Sequence, residues 1–296
     1  MELDISNDSL PVYKALASDV RLKIIELLSN ESINVKELAI RLGLSTTITL
    51  RHLQILADAG IITFKKEGHS KISKVKIDLI SIRFPQKIYS PFELHESAIP
   101  VGQYTDYSVQ PTCGLAGRKD FIGKVDSPSF FMDPDRFKAQ MLWFSKGFVE
   151  YQAPNFLTNE DNLEMLDLSA ELGSEFPFSN NVWPSDITCY INGKELCTWT
   201  SPGDFSDIRG KYTPSWVPDN VNQYGILKTF RVTKDGTYLD GQPVSDITLD
   251  DINITTPSIK IRFAIKDKAK NQGGCTIYGH GFGNYDQDIK LSLYYS

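Results

Sequence analysis

One glycine constrains this chain more than any other residue. From Val35 to Ile62 the sequence reads VKELAIRLGLSTTITLRHLQILADAGII, and Gly43 divides it into two stretches of helical periodicity. Asn34, with Glu37 three residues on, caps the first helix, and a left-handed Gly43 stops it. Ser45 caps the second, which runs to about Ala59 before Gly60 ends it. Upstream, ALASDVRLKIIELLSN carries Val20, Ile24, Leu27 and Leu28 as a helical stripe behind Ser18 as its N-cap. Downstream, IITFKKEGHSKISKVKI predicts a strand, a tight turn near Glu67 to Ser70 and a second strand.

Helix, helix, turn, helix and hairpin is the order of a winged helix-turn-helix, whose second motif helix enters the major groove while the wing rests on the DNA backbone. Over about residues 10 to 78, ALASDVRLKIIELL followed by VKELAIRLGLSTTITLRHLQILADAGII resembles the ArsR-type winged-helix transcriptional regulators. The resemblance implies double-stranded DNA as a partner and a homodimer. It puts a reading face on Thr46, Thr47, Leu50, Arg51 and Gln54, and a wing on Lys65, Lys66, His69, Ser70 and Lys71. Side-chain chemistry agrees with much of this: Arg forks onto guanine or clamps phosphate, Gln pairs with adenine, and Thr suits either. Leu50 departs from the small polar residue common there, and either meets a thymine methyl or belongs to the core. Two plainer readings stand beside this one. The hairpin lysines also suit a solvated strand edge, and the whole head suits a protein-docking module.

Charge separates along the chain. Lys14 to Ile77 holds 11 Lys and Arg against 6 Asp and Glu, leaving 20 against 31 in the remainder. A basic head on an acidic body suits a polyanion at one end only. The resemblance also implies a cysteine pair on the helix before the turn in metal-sensing members. INVKELAI stands there instead, with no cysteine before Cys113, which excludes thiolate sensing of soft metals by that helix. His52 and His69 are assigned to backbone or phosphate contacts. No metal or cofactor is expected. The family usually closes with a long dimer helix, whereas KVKIDLISIRF alternates Val75, Ile77, Leu79 and slips by one to Ile80, Ile82, Phe84. That pattern predicts a bulged strand. Dimerisation then falls to the first helix, this strand or the second domain.

RFPQKIYSPFELHESAIP, with three prolines, marks the linker. The expected domains are residues 1–84, a linker at 85–97, and 98–296. Beyond the linker, about eight alternating segments and turn signals at Asn192-Gly193, Asp235-Gly236 and Asp240-Gly241 predict an antiparallel β-sandwich of jelly-roll type. The fold class is therefore α+β multidomain, a winged helix-turn-helix followed by an all-β sandwich. The segment MELDISNDSL lacks a signal-peptide pattern, and no apolar run approaches the ~18 residues of a membrane span, so a cytoplasmic protein without membrane contact is expected.

In CYINGKELC, Asn192-Gly193 pairs Ile191 with Lys194. Counting outward sets Cys189 against Leu196 and Cys197 against Thr188, on opposite faces, so Cys113, Cys189, Cys197 and Cys275 are read as thiols. The same count puts Tyr190 and Trp199 on one outer face, where rings stack on a sugar; the plainer alternative packs both under the loop SPGDFSDIRGKYTPSWVPDN. Further candidate ligand residues are Trp183 and Asp186 in NNVWPSD, Asp204, and His280, Asn284 and Tyr285 in YGHGFGNYDQD. Loop aspartates equally cap turns, and the glycines equally make tight ones.

WPSDITCYINGKELCTWTSPGDF, YGILKTFRV and GFGNYDQDI resemble the second domain of a bacterial regulator family in which a jelly-roll domain follows an ArsR-type head. The resemblance implies a transcriptional regulator whose sandwich is similar to carbohydrate-binding modules and supplies no ligand; a small-molecule effector, with a sugar as the candidate that the Tyr190 and Trp199 face suggests, is the expectation. A dimerisation domain without ligand is the alternative. A carbohydrate-active enzyme using carboxylates such as Glu150, Glu164 and Glu195 is another, although GxSxG and cupin-like histidine patterns are missing.

Overall fold

Short polar side chains and glycines fix the helix ends near the N-terminus. The computed structural model describes residues 1–67, 70–83 and 92–296. It begins with β1 (Glu2–Asp4), α1 (Leu10–Leu16), α2 (Asp19–Asn30), β2 (Ile33–Asn34), α3 (Val35–Leu42) and α4 (Thr46–Asp58). β3 (Ile62–Glu67), β4 (Ser70–Val75) and β5 (Ser81–Arg83) follow. Asn34 Oδ1 accepts the Glu37 N–H at 3.0 Å, and Ser45 Oγ accepts the Ile48 N–H at 3.3 Å, satisfying donors that the helices themselves leave open. Ser18 occupies the N-cap position of α2 without a side-chain cap bond. Gly43 is left-handed at φ +66, and the Gly43 and Leu44 N–H groups return to Ile40 and Ala39 carbonyls at 3.2 and 3.0 Å, the Schellman closure.

Val20, Ile24, Leu27 and Leu28 all join the core of this unit, with Leu38, Leu53, Leu56 and Ile62. Helix α1, not assigned from the sequence, is tied to α2 by Arg21, which donates to the Lys14 and Ala15 carbonyls at 2.7 and 2.5 Å. KVKIDLISIRF is not one bulged strand. β4 stops at Val75 because its partner Ile62 is the first residue of β3, and β5 pairs in parallel with β1 through Ile82↔Leu3. Residues 76–83 contain no helix.

The chain divides into two units, Met1–Ser90 and Pro91–Ser296. The second holds β6 (Glu93–Ile99), β7 (Asp106–Gly117), β8 (Ala139–Pro154), β9 (Leu163–Gly173), β10 (Ser185–Ile191), β11 (Lys194–Ser201), β12 (Ile226–Thr233), β13 (Thr237–Leu239) and β14 (Gln242–Ser245). After a short helix, α5 (Leu249–Ile252), come β15 (Ser258–Ile265), β16 (Cys275–Tyr278) and β17 (Ile289–Tyr295). Residues 93–97, expected in the linker, are strand: β6 pairs with β17, Leu94 opposite Tyr294. Its alternation is hidden because it is an edge strand, and Glu93 and Glu96 accept bonds from Tyr295 and Ser292.

These twelve strands form one antiparallel sheet. One arm runs β11-β10-β15-β8-β7 and the other β14-β13-β12-β9-β17-β6, while β16 bonds to both β8 and β9. The arms face each other across a shared core: Ile187, Tyr151 and Phe263 from the first meet Leu168, Phe230 and Leu291 from the second. The Phe230 and Phe263 rings lie 6.2 Å apart.

Gly147 in β8 has φ +101, and a Cβ there would lie 1.7 Å from the Ser108 carbonyl oxygen of β7. Gly147→Ala is therefore expected to destabilise the second unit by roughly 2 to 4 kcal/mol, the range of a strained, overpacked site. Denaturant melts of the full chain measure this, and an unchanged midpoint would refute the close strand approach.

Candidate functional site

Helix α4 divides cleanly by periodicity. Thr49, Leu53 and Leu56 are buried, which turns Thr46, Thr47, Leu50, Arg51 and Gln54 outward together. Leu50 is 41% exposed, removing the core alternative for it. Ile48, which the sequence reading passed over, is also exposed on this helix. Gln54 Nε2 donates to Asp58 Oδ1 at 2.7 Å, which orients its amide along the helix. His52 is half-buried; desolvation first, then Arg21 and Arg51, hold its imidazole below the ordinary value and favour the neutral ring.

In the hairpin, Lys65 is exposed. Burial, with Lys65 close by, lowers the Lys74 ammonium. Lys66 pairs with Lys71 and Glu67 with Ser70 in the strand register, while His69 lies outside the described residues. A helix face of hydroxyl, guanidinium and amide groups beside a lysine-bearing hairpin can bond base edges and phosphate oxygens.

The candidate ligand residues of the second unit are not brought together. Ile191 does pair with Lys194, but the register shifts after Tyr190↔Glu195, so Cys189 faces Cys197, Thr188 faces Thr198 and Ile187 faces Trp199. The bulge turns Cys197 and Trp199 to the core side and leaves Tyr190 outside, so the shared ring face is not formed. All four cysteines are buried free thiols. Lys228 Nζ lies 4.9 Å from the centre of the Trp199 ring, and the Tyr190 hydroxyl donates to Glu195 at 3.1 Å. Asp186 accepts from Thr200 Oγ1 at 2.8 Å and Asn271 Nδ2 at 3.0 Å.

His280, Asn284 and Tyr285 sit in a loop organised by a buried carboxylate. Glu171 accepts N–H groups from Gly225, Asn284 and Tyr285 at 2.8, 2.9 and 3.0 Å. A Cβ on Gly283 would lie 2.3 Å from Glu171. The glycines thus serve a tight turn. His280 Nδ1 is 2.9 Å from Asp286. Glu150, Glu164 and Glu195 are each engaged by a base, Arg262, Lys234 and Lys266, at 2.7, 2.6 and 2.8 Å.

Trp183 and Asp204 border a different feature. Trp183 packs edge-on to Phe176 at 4.7 Å, and Asp204 Oδ2 accepts the Phe176 N–H at 3.1 Å. Phe176 lines a cavity of about 230 Å³ with Trp143, Glu175, Phe178 and Asn222. It lies on the face of β8 turned from the main core, where Met141 and Trp143 join a second apolar cluster with Val217 and Phe282. Burial pushes the Glu175 carboxyl up to about 7, against bonds from Asn222 and Thr112 that lower it. Asp204 is fully buried, and desolvation followed by the Glu175 charge raises it well above the carboxylate range. Sequence reasoning missed Glu175 and its neighbours; the available signal was an acid set between apolar residues in LGSEFPF.

Residues 18–63 match the model of the bacterial regulatory protein, arsR family. No curated protein matches the chain. Among solved structures, the homodimeric winged helix-turn-helix DNA-binding domain of a possible ArsR-family transcriptional regulator from Mycobacterium bovis is 30% identical, over 23% of this chain and 64% of that one, with a TM-score of 0.23. The transcriptional regulator HlyU of Vibrio vulnificus is 31% identical, over 24% of this chain and 74% of that one, with a TM-score of 0.23. HlyU from Vibrio cholerae is 28% identical, over 25% and 83% of the two chains, with a TM-score of 0.23. The chain thus spans just under two thirds of the Mycobacterium bovis fragment.

The buried acids have a consequence for stability. Glu175 binds its proton more tightly folded than unfolded, so its contribution is whole below its ordinary 4.5 and is lost as pH rises through about 7. The second unit is expected to lose roughly 3 kcal/mol from this group between about pH 4.5 and 8. Glu175→Gln should flatten that part of a melting-temperature profile; identical profiles for the two chains would contradict the burial argument.

Proposed function

From the premise that residues 18–63 are an ArsR-family DNA-binding regulator domain, we propose that this protein is a transcriptional regulator acting on double-stranded DNA in the cytoplasm as a homodimer. The observation that carries the reading is α4, whose outward residues Thr46, Thr47, Leu50, Arg51 and Gln54 are the ones whose chemistry suits base edges and phosphates. Lys65, Lys66, Ser70 and Lys71 of the β3–β4 hairpin are assigned to the wing in this reading, as His69 is from the sequence alone. Two copies would present two α4 helices to half-sites about one helical turn apart. Leu10 of α1 and Ile82 of β5 are apolar and 40% and 47% exposed, groups that a second copy would cover.

The second unit is the ligand-responsive part in this reading, and its two facing arms support a sandwich of jelly-roll type. The sugar effector loses its motivating observation with the separation of Tyr190 from Trp199. Asp204 and Trp183 keep a place beside the cavity, whereas Asp186, Tyr190, His280, Asn284 and Tyr285 are held by bonds internal to the fold. Regulation is a population shift: a ligand that prefers one arrangement of the dimer changes operator affinity by its differential binding.

Operator titrations test the DNA reading. Arg51→Ala is expected to cost about 1 to 3 kcal/mol on a specific site if it reads a base. Lys65→Ala should weaken all sequences alike and reduce the salt slope by about 1. Wild-type affinity in both variants would remove α4 and the hairpin from the interface.

A further inference from the structure

The cavity beside β8 is built from rings and acids. Its walls include Phe121, Trp143, Phe176 and Phe178, and aromatic faces carry the negative end of a quadrupole. Its polar groups are Glu175, Asp126, Asn222 and Thr112, the last re-aimed by the β7 bulge between Gln110 and Cys113. None of the described lining residues is Lys, Arg or His.

The amide donors there are already used, which leaves mainly acceptors for a ligand. Asn222 Nδ2 donates to Glu175 Oε2 at 2.9 Å and to Thr276 Oγ1 at 2.8 Å, and Asp126 Oδ1 accepts the Cys113 N–H at 3.0 Å. A polyhydroxylated sugar needs many spare donors and acceptors, whereas negative charge enclosed by rings recognises a cation. Two lining residues also hold left-handed backbones that side chains resist, Asp126 at φ +61 and Phe178 at φ +78. Phe178 is 69% exposed, so no buried contact of its ring repays that conformation; held strain of this kind clusters at ligand clamps.

We propose that this cavity binds a small organic cation, an ammonium nitrogen on an apolar alkyl or arylalkyl body, with Glu175 and Asp126 facing the charge and the rings enclosing the body. The assignment rests on the reading of the second unit as ligand-responsive, and names the ligand class and its site. Glu175, buried and without a basic neighbour in the cavity, gains from such a ligand the positive charge its surroundings lack.

Calorimetric titration of the full chain with benzylammonium and choline, against benzyl alcohol and glucose, tests it. Both ammonium probes are expected to saturate, with benzyl alcohol at least tenfold weaker and glucose silent. Glu175→Gln should weaken the ammonium probes at least tenfold and leave benzyl alcohol unchanged. Phe178→Gly, which relieves the backbone and removes only an exposed ring, should weaken them severalfold in a chain that melts as wild type. The assignment is overturned if neither ammonium probe saturates, if the alcohol binds equally well, if Glu175→Gln has no effect on the ammonium probes, or if glucose displaces them. Operator affinity with and without benzylammonium is read separately: an unchanged value removes the coupling to DNA, while the titrations still decide the cavity.

Discussion

Strand β16 is four residues long, and the second unit depends on it. Cys275 to Tyr278 are all buried and bond on one side to β8 and on the other to β9. Neither arm could shield its own apolar face, and β16 is what makes them walls of one core rather than two exposed sheets. The same strand organises the cavity. Thr276 Oγ1 donates to the Ser174 carbonyl at 2.9 Å and accepts from Asn222 at 2.8 Å. Gly274, just before the strand, lets the backbone pass where a Cβ would lie 2.6 Å from Glu175 Cβ. Core closure and the placing of a buried acid are thus one constraint.

What the sequence made legible was local. Caps at Asn34 and Ser45, the left-handed Gly43 and the stripe through Ile24 and Leu28 each depend on residues within a few positions, and the structure repeats them. The same holds for the outward side of α4, since periodicity alone separates Leu53 from Arg51. The Asn192-Gly193 turn was equally legible, yet the register beyond it was not. A single unpaired residue at Leu196 reversed the faces of Cys197 and Trp199. Hairpin counting assumes an unbroken ladder, and bulges are set by what the strand must pack against.

The cavity was illegible for a stronger reason. Thr112, Asp126, Trp143, Glu175 and Asn222 come from five separate stretches, and only the strand order assembles them. Single residues in those stretches read as loop acids or strand aromatics. Edge strands were hidden too, because β6 needs to satisfy only β17 and so shows no clear alternation.

Charge segregation along the chain connects the two proposed roles. The stretch from Lys14 to Ile77 carries an excess of basic residues and the remainder an excess of acids, so phosphate attracts the head and repels the body. An acidic body adds like-charge repulsion to the desolvation of a buried carboxylate, as Asp126 does at Glu175, so a cation is the ligand whose arrival relieves both. An acid enclosed by rings inside such a body discriminates further, since only a positive group with an apolar shell meets both requirements. A ligand of that kind would also be repelled by Arg51 on the outward face of α4, which keeps effector and operator chemically apart on one chain.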